Sequence, residues 1–409
     1  MTKVLFVMGT RPEAIKLCPV VRHMAGRGSE FSARVCATAQ HREMLDQVLD
    51  AFQVRPHHDL DVMRPGQTLS QTTARIVAAL EPILQEEQPD MVLVQGDTTT
   101  TFCGALAAFY QHVPVGHVEA GLRTGDLGQP FPEELNRVLT TRLAAIHFAA
   151  TPWAADNLRA EGVPAGRIHV TGNTGIDAVL HVSGELAGGR LTGRSGPFVD
   201  PSRKLVVVTA HRRESFGEGF ERICIALSEL ARRDDVQIVY PVHPNPNVRR
   251  PAERILGGAP NVTLTEPLDY VAFVDLMRRA YLLLTDSGGV QEEAPSLGKP
   301  ILVLRDKTER PEAVHAGTAK LVGTDPARIL GEASALLDRP EAREAMARVH
   351  NPYGDGRASG RISDAIISFF ETYSDKKPAS AGVLSSSSAW IPETPALQSP
   401  SERPARPAR

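Results

Sequence analysis

Short apolar runs alternate with longer helix-like segments along most of this chain. The first half contains six such runs, which read KVLFVM, ARVCAT, DMVLVQG, VPVGHVE, AIHFAAT and RIHVTG. Helix-like segments lie between them, for example at residues 12–27, 68–86 and 99–111. Runs that are apolar on both faces and separated by helices are typical of a parallel sheet covered on both sides. The alternation therefore predicts an α/β fold.

The same alternation returns after a stretch rich in Gly, Arg and Pro at residues 184–202. The runs of the second half are KLVVVTA, VQIVYPV, NVTLTE, YLLLTD, PILVL and KLVG. We therefore predict two Rossmann-like domains with parallel sheets facing a cleft, over residues 1–173 and 174–357. A helix at 358–373 is expected to pack back on the first domain. Ligands of such sheets bind beyond the carboxyl ends of the strands.

The composition limits the class of protein. The 409 residues carry a formal net charge of −3, which argues against a nucleic-acid-binding protein, and 42% of them are hydrophobic. The absence of a signal-peptide pattern and of an apolar stretch of about 18 residues leads us to expect a cytoplasmic protein without membrane contact. The four cysteines form no CxxC pair and are expected to be buried free thiols. Residues 374–409 are aperiodic and rich in Pro and Ser, so we expect them to be disordered.

The end of the first apolar run combines several features of an anion-binding site. GTRPEAIK follows the run directly, and Pro12 suits the first turn of a helix, whose free N–H groups attract anions. Arg11 and Lys16 add two positive charges at the same helix start. A surface turn with solvated cations is the alternative interpretation. The convergence of glycine, arginine and lysine favours a phosphate site.

Carboxylates follow three further elements of the first half. Asp97 follows DMVLVQG, Glu119 ends VPVGHVE, and Glu133 opens the helix of PFPEELNR. As an alternative, Asp97 could merely cap its helix, and Glu133 could form an ordinary surface pair with Arg137. Because the ends of parallel strands lie at one edge of a sheet, we expect these carboxylates to share a cleft. Crowded carboxylates have shifted pKa values and suit acid and base catalysis.

The second half supplies further cations and a glycine-rich loop. The sequence TDSGGVQEE places Ser287, Gly288 and Gly289 between a strand and a helix, where backbone N–H groups can surround a phosphate. Glu293 follows on that helix, where it could bind both ribose hydroxyls or simply favour the helix dipole. Arg310 precedes a proline at another helix start. Further basic residues at strand ends are His211, Arg212, Arg213 and His243.

The predicted anion is a nucleotide diphosphate that lies across the cleft. No GxGxxG motif follows the first strand, which counts against NAD, and no GxxxxGK[ST] motif indicates a P-loop ATPase. No His, Cys and Asp cluster has metal-ligand spacing. We therefore expect neither an NAD site, nor a P-loop ATP site, nor a metal.

Eight ordered motifs give the chain a family resemblance. They read GTRPEAIKL, TAQHREMLDQ, QGDTTTTF, GHVEAGLRTGD, PFPEELNR, TGNTGID, TAHRRES and LTDSGGVQEEAPSLGKP, the last followed by LRDKTERPEAV. Together they resemble the bacterial non-hydrolysing UDP-N-acetylglucosamine (UDP-GlcNAc) 2-epimerases over roughly residues 3–370. The resemblance implies a GT-B-like fold and a cytoplasmic homodimer. It also implies cofactor-free interconversion of UDP-GlcNAc and UDP-N-acetylmannosamine (UDP-ManNAc), which supplies ManNAc units for a cell-surface polysaccharide.

The resemblance also implies roles for particular residues. The expected catalytic residues are Asp97, Glu119, Glu133 and His211. The expected substrate-binding residues are Arg11, Lys16, Arg137, Phe273, Ser287, Gly288, Gly289, Glu293 and Arg310. Gln40, Arg212 and His243 match positions linked to a second, activating UDP-GlcNAc. Glu43 and Gly66 stand where some members have glutamine and arginine, so we expect weak activation.

Three other functions are left open by the sequence. A UDP-sugar-dependent GT-B glycosyltransferase would need an acceptor groove, often with apolar membrane-facing residues, and no such exposed apolar segment is seen. A hydrolysing epimerase would release free ManNAc, and only the resemblance of GTRPE favours the non-hydrolysing branch. A non-catalytic nucleotide-sugar sensor would need only the phosphate contacts, so the joint presence of Asp97, Glu119 and Glu133 favours an enzyme.

Overall fold

Two parallel β-sheets with flanking helices form the framework of the computed structural model. The structure describes residues 1–38, 42–64, 66–193, 199–308 and 310–374. Nearly all of the predicted disordered tail therefore lies outside the described residues, and so does Gln40.

The first sheet has the strand order β3-β2-β1-β4-β5-β6-β7. Its strands are β1 (Thr2–Met8), β2 (Phe31–Ala37), β3 (His58–Asp59), β4 (Met91–Gln95), β5 (Val115–Ala120), β6 (Ile146–Ala149) and β7 (Ile168–Val170). Its helices are α1 (Arg11–Gly26), α2 (Arg42–Ala51), α3 (Leu69–Glu87), α4 (Thr99–Tyr110), α5 (Glu133–Leu143) and α6 (Pro152–Ala160). All strand pairs are parallel, as predicted.

The second sheet has the strand order β10-β9-β8-β11-β12-β13 and is also parallel. Its strands are β8 (Lys204–Thr209), β9 (Val236–Pro241), β10 (Val262–Thr265), β11 (Leu282–Thr285), β12 (Ile301–Val303) and β13 (Ala319–Leu321). The remaining helices are α7 (Thr174–Ala187), α8 (Glu218–Leu230), α9 (Pro246–Leu256), α10 (Tyr270–Arg279), α11 (Gly288–Glu293), α12 (Pro311–Ala316), α13 (Pro326–Asp338), α14 (Pro340–Ala347) and α15 (Ala358–Ser374). The prediction of two Rossmann-like units is confirmed.

The central strands are buried on both faces, which explains their continuous apolar runs. Successive side chains of a strand point to opposite faces. Val4, Phe6 and Met8 of β1 belong to the apolar cluster that includes α1 and α15. Leu5 and Val7 belong to the cluster on the other face, which includes α3 and α4. Burying each such side chain contributes about 1.5–3 kcal/mol, so a run without polar alternation is favoured at these positions.

Helices α7 and α15 join the two halves of the molecule. α7 packs against α1 of the first unit and α10 of the second, and α15 packs against α1 and α7. Ile362 and Ile366 of α15 are fully buried, and Asp364 accepts a 2.6 Å hydrogen bond from Arg27 of α1. The predicted boundaries at residues 173 and 357 stay predictions.

The four cysteines are buried and unpaired, as predicted. Burial raises the pKa of the Cys36 thiol to about 12, so the reactive thiolate form is disfavoured. Across the residues that the structure describes, no helix has both the length and the apolar character needed to cross a bilayer.

A buried ion-paired carboxylate holds the amino-terminal edge of the first sheet. Oε1 of Glu87 accepts hydrogen bonds from Arg34 at 2.8 Å and from Nε2 of His58 at 2.7 Å. The Lys3 Nζ lies 3.5 Å from the other carboxylate oxygen. Although burial acts in the opposite direction, these hydrogen bonds lower the pKa of Glu87 to about 2. The ionised carboxylate therefore stabilises the folded state.

Glu87→Gln is expected to lower the free energy of unfolding at pH 7 by about 1.5–3 kcal/mol, the usual contribution of hydrogen bonds to a charged group. A carboxyl with a lowered pKa stabilises the fold above its usual pKa of 4.5, and this contribution is lost as the pH falls towards about 2. Urea unfolding of both proteins should therefore show a difference in stability that shrinks between these pH values. A difference that is constant with pH would contradict the assignment.

Candidate active site

Side chains at or beyond the carboxyl ends of β1, β5 and β11 meet between the two sheets. Lys16 on α1 donates a hydrogen bond to Oε1 of Glu119 near the end of β5. The Lys16 Nζ also lies 3.8 Å from Oε2 of Glu292 on α11, which belongs to the second unit. The three side chains are at most 14% exposed. We call Lys16, Glu119 and Glu292 the cleft cluster.

The backbone of Glu119 is strained. Its φ of +63° is in the left-handed region, where a residue with a side chain costs energy, and the pairing of β5 with β6 shifts register between Val118 and Ala120. This conformation directs the carboxylate towards Lys16, while the amide of Gln95 donates to its other oxygen. Burial raises the pKa of Glu119, although Lys16 acts in the opposite direction. Backbone strain of this kind is typical of functional sites.

Asp97 lies in the loop between β4 and α4 and is held by Arg137 of α5. Arg137 donates from Nε to Asp97 at 2.9 Å and from Nη1 to Glu134 at 2.9 Å. Glu134 accepts two further 3.0 Å hydrogen bonds from the backbone N–H groups of Thr124 and Gly125. In addition to burial, the negative charge of Asp97 raises the pKa of Glu119, so the two carboxylates interact electrostatically.

Glu133 is placed differently from Asp97 and Glu119. It lies partly exposed at the start of α5, and its neighbour Glu134 forms the ion pair with Arg137. The alternative of a surface pair between Glu133 and Arg137 is therefore wrong. The structure does not bring Glu133 into contact with the cleft cluster, so its catalytic role stays a prediction.

Glu13 was missed by the sequence analysis as a site residue. It is completely buried, and one carboxylate oxygen accepts the backbone N–H groups of Gly9 at 2.9 Å and Thr10 at 2.7 Å. The other oxygen accepts the hydroxyl of Thr98 at 2.7 Å. Glu13 thereby ties the loop that directly precedes Arg11 to the loop that carries Asp97. Sequence spacing alone gives no signal for a contact across 85 residues.

Glu292 gathers contacts from both units. Arg310 donates from Nε to Oε1 of Glu292 at 2.5 Å, and Asn173 donates to Oε2 at 2.8 Å. A Cβ on Gly288 would lie 3.3 Å from Nη2 of Arg310, so the glycine leaves room for the guanidinium. Ser287 is the N-cap residue of α11, and the close approach of Gly288 to Arg310 places the start of this helix beside the guanidinium. The predicted loop and the predicted cation are therefore adjacent.

Glu293 is a second buried carboxylate of α11, next to Glu292. Burial, together with the nearby carboxylate of Glu292, raises the pKa of Glu293 to about 8. Burial and the charge of Glu293 raise the pKa of Tyr270, and the charge of Arg11 opposes this change. The Tyr270 hydroxyl has no hydrogen-bond partner among the described residues. Arg11 approaches the carbonyl oxygen of Leu268 at 3.5 Å and thus reaches from the first unit to the second. Phe273 lies on α10, one turn after Tyr270.

The histidines of the second unit also come together. The rings of His211 and His243 stack with centroids 5.4 Å apart. The backbone N–H groups of His211 and Arg212 donate to the buried Asp286 at 2.6 and 2.7 Å. Burial lowers the pKa of His211, which favours the neutral ring. Asp286 therefore fixes the loop that carries His211 and Arg212. The sequence analysis did not single out this residue.

Comparison with known proteins decides the family. A family model described as UDP-N-acetylglucosamine 2-epimerase matches residues 24–367. The UDP-N-acetylglucosamine 2-epimerase of Escherichia coli K12 is 58% identical over 369 residues, which cover 89% of this chain and 98% of that protein. The chain belongs to the UDP-N-acetylglucosamine 2-epimerase family. The predicted resemblance is confirmed.

Solved structures of this epimerase family agree with the fold. The UDP-GlcNAc 2-epimerase of Neisseria meningitidis, bound to UDP-GlcNAc, has a TM-score of 0.82 and 48% identity. That match covers 90% of this chain and 100% of the other. The enzyme of Methanocaldococcus jannaschii, in complex with UDP-GlcNAc and UDP, has a TM-score of 0.73 and 32% identity, with coverage of 90% and 100%.

The structure brings only some of the predicted site residues into contact with one another. The structure brings Lys16, Glu119 and Arg310 together through Glu292, and it pairs Asp97 with Arg137. Gln40 and the side chain of Glu43 lie outside the described residues, whereas Gly66 is described and has a φ of +74°. Within the described part of the chain, no group of three His, Cys, Asp or Glu side chains could hold a metal ion.

Proposed function

We propose that this protein interconverts UDP-GlcNAc and UDP-ManNAc by inverting C2 of the sugar. The cleft cluster carries this proposal, because it places a buried acid, Glu119, beside the ammonium of Lys16 from the first unit, and Glu292 links both to Arg310 of the second unit. The relative from Neisseria meningitidis, whose structure contains UDP-GlcNAc, supports this substrate.

The chemistry explains why such a site is needed. The C2 proton of the sugar is not next to a carbonyl, so its direct removal would leave an unstabilised carbanion. Elimination of UDP across C1 and C2 avoids this, because the electron pair of the C2–H bond forms the double bond of a glycal as the C1–O bond breaks. UDP then adds back to C1 while a proton arrives on the other face of C2. A base, an acid and a cationic clamp are therefore required.

The cations of both units suit the clamp for the leaving diphosphate. We place the diphosphate between Arg11 and Lys16 of the first unit and Arg310 of the second. The N–H groups of Ser287, Gly288 and Gly289 support it at the start of α11, and His211 lies at the neighbouring strand end. Because these groups are fixed by Glu13, Glu292 and Asp286, little reorganisation is needed as negative charge develops on UDP.

The remaining contacts follow from the same placement. Glu293 binds the ribose hydroxyls, and Phe273 packs beside the uracil ring. Asp97, Glu119 and Glu133 serve as the acid and base carboxylates, and Arg137 orients Asp97. The raised pKa of Glu119 suits a group that must both hold and release a proton near neutral pH.

We also propose that the enzyme is a cytoplasmic homodimer and that a second UDP-GlcNAc activates it weakly. The family resemblance supports both statements. Arg212 and His243, whose ring stacks on that of His211, form a candidate contact for the activator, and Gln40 matches a further position linked to it. Glu43 and Gly66 replace an amide and a cation of other members, which weakens the attraction for a second diphosphate.

The test is incubation of the protein with UDP-GlcNAc in deuterated water, followed by proton NMR of the sugar. We expect UDP-ManNAc to form and deuterium to enter C2 of both sugars, because the returning proton comes from an acid in exchange with solvent. Free ManNAc and UDP would instead indicate a hydrolysing enzyme, and an unchanged sugar would indicate a sensor or a transferase. Protium retained at C2 after many turnovers would contradict the elimination route.

A further inference from the structure

A concentration of positive charge lies at the edge of the second sheet that faces away from the proposed active site. Lys204 begins β8, Tyr281 directly precedes β11, and Lys299 comes two residues before β12. These three strands are neighbours in the sheet, so the three residues lie at adjacent amino ends. The cleft cluster and the phosphate loop follow carboxyl ends. The two regions are therefore on opposite sides of the sheet.

A shallow pocket of about 380 Å³ opens at this edge. Its lining among the described residues contains five cationic side chains and no carboxylate. The cationic side chains are those of Arg203, Lys204, Arg279, Lys299 and Arg343. A concave surface lined by one sign of charge attracts ions of the opposite sign.

Carboxylates that do not line the pocket pair with three of the five cations. Lys204 pairs with Asp235 at 2.9 Å, Arg203 with Asp200 at 3.4 Å, and Arg279 with Asp275 at 3.2 Å. The other two cations, Lys299 and Arg343, form no ion pair with a described carboxylate. The net charge of the pocket therefore resides on Lys299 and Arg343.

These two side chains hold their positive charges without an anion among the described residues. The guanidinium of Arg343 lies 4.4 Å from the ring centre of Tyr281 and donates only Nε, to the Tyr281 carbonyl, at 3.2 Å. The Lys299 ammonium has no hydrogen-bond partner among the described residues. Burial, with the nearby charges of Arg343 and Arg278, lowers the pKa of Lys299 to about 8. An anion between Lys299 and Arg343 would relieve this repulsion.

We propose that this pocket is an anion site that binds a phosphate group, either as free phosphate or as part of a phosphorylated sugar, between Lys299 and Arg343. The planar guanidinium presents two parallel N–H donors to phosphate oxygens, and the ammonium adds a compact charge. The volume of the pocket exceeds that of one phosphate, which leaves space for an attached sugar. The site is separate from the active site and does not depend on the proposed reaction.

The test is calorimetric titration in the presence of saturating UDP, so that the nucleotide site is already occupied. One titration uses inorganic phosphate and the other uses glucose 6-phosphate, with ionic strength held constant by NaCl. Lys299→Gln and Arg343→Gln should each weaken binding about tenfold or more, because each removes a charge-assisted hydrogen bond. Lys320→Gln is the matched control, since Lys320 pairs with Glu332 at 2.6 Å outside the pocket, and it should bind as the wild type does.

All three variants should bind UDP with wild-type affinity, which shows that they are folded. If one pocket variant no longer binds UDP, the anion binding of the other pocket variant tests the proposal. Tighter binding of phosphate would identify the free ion as the ligand, and tighter binding of glucose 6-phosphate would identify a sugar phosphate. No saturable binding of either anion, or equal binding by the wild type and both pocket variants, would overturn the proposal.

Discussion

Glu119→Gln is expected to lower the turnover number of epimerisation by about 10²–10⁴-fold, the usual contribution of a general acid or base. The amide preserves the size of the side chain but cannot exchange a proton with C2. UDP binding should persist, because the diphosphate and ribose contacts that we propose come from other residues. Initial rates by NMR and UDP affinity by calorimetry measure the two effects separately.

Glu87→Gln is the matched control for this variant. Glu87 is also a buried glutamate with a lysine near one oxygen and a hydrogen bond on the other, but it lies at the opposite edge of the sheet. Its replacement should reduce stability and leave turnover unchanged at temperatures where the variant is folded. Near-normal turnover of Glu119→Gln would remove Glu119 from the acid and base carboxylates. Loss of UDP binding would instead assign it a structural role.

Lys16→Met is expected to lower kcat/KM by about 10²–10³-fold, the cost of removing one preorganised donor to developing negative charge. Methionine keeps an unbranched side chain of similar shape up to Cε but lacks the ammonium. Two buried carboxylates, Glu119 and Glu292, then lose a shared cation. UDP affinity should also fall, which distinguishes this variant from Glu119→Gln.

The pH dependence of the Lys16 variant gives a second measure. Burial raises the pKa of Glu119 and the ammonium of Lys16 opposes that change, so loss of the ammonium should raise the pKa further. The limb of the pH–rate profile that reports Glu119 should therefore move to higher pH. Lys3→Met, which removes the lysine beside Glu87, is the control and should leave the profile in place. An unmoved limb in Lys16→Met would show that Glu119 does not titrate in the reaction.

The central strands were predictable because their burial on both faces demands uninterrupted apolar residues. β3 was not, since its two residues, His58 and Asp59, are polar and are held by pairing with β2. The ends of the predicted strands likewise located Asp97 and Glu119, because a parallel sheet gathers its carboxyl ends.

The supporting residues were harder to predict than the strand ends. Glu13, Gln95 and Asp286 act through hydrogen bonds to loops that are distant in sequence or to backbone groups. The bond from the Thr10 N–H to Glu13 is the local capping-box pattern T-x-x-E, but the other contacts depend on how helices and loops meet after folding. The same limit applies to Glu133 and Glu134, adjacent glutamates of which the structure ties only Glu134 to Arg137.

The left-handed backbone conformation of Glu119 lowers the stability of the fold at a residue that we propose is needed for activity. This conformation costs about 1–2 kcal/mol for an L-residue with a side chain, whereas glycine adopts it freely. Glycine at position 119 would remove this backbone cost, but it would also remove the carboxylate that pairs with Lys16 and that we propose as an acid or base. Stabilisation of this enzyme for use at high temperature has to come from the helices and sheet edges and must leave this one strained residue in place.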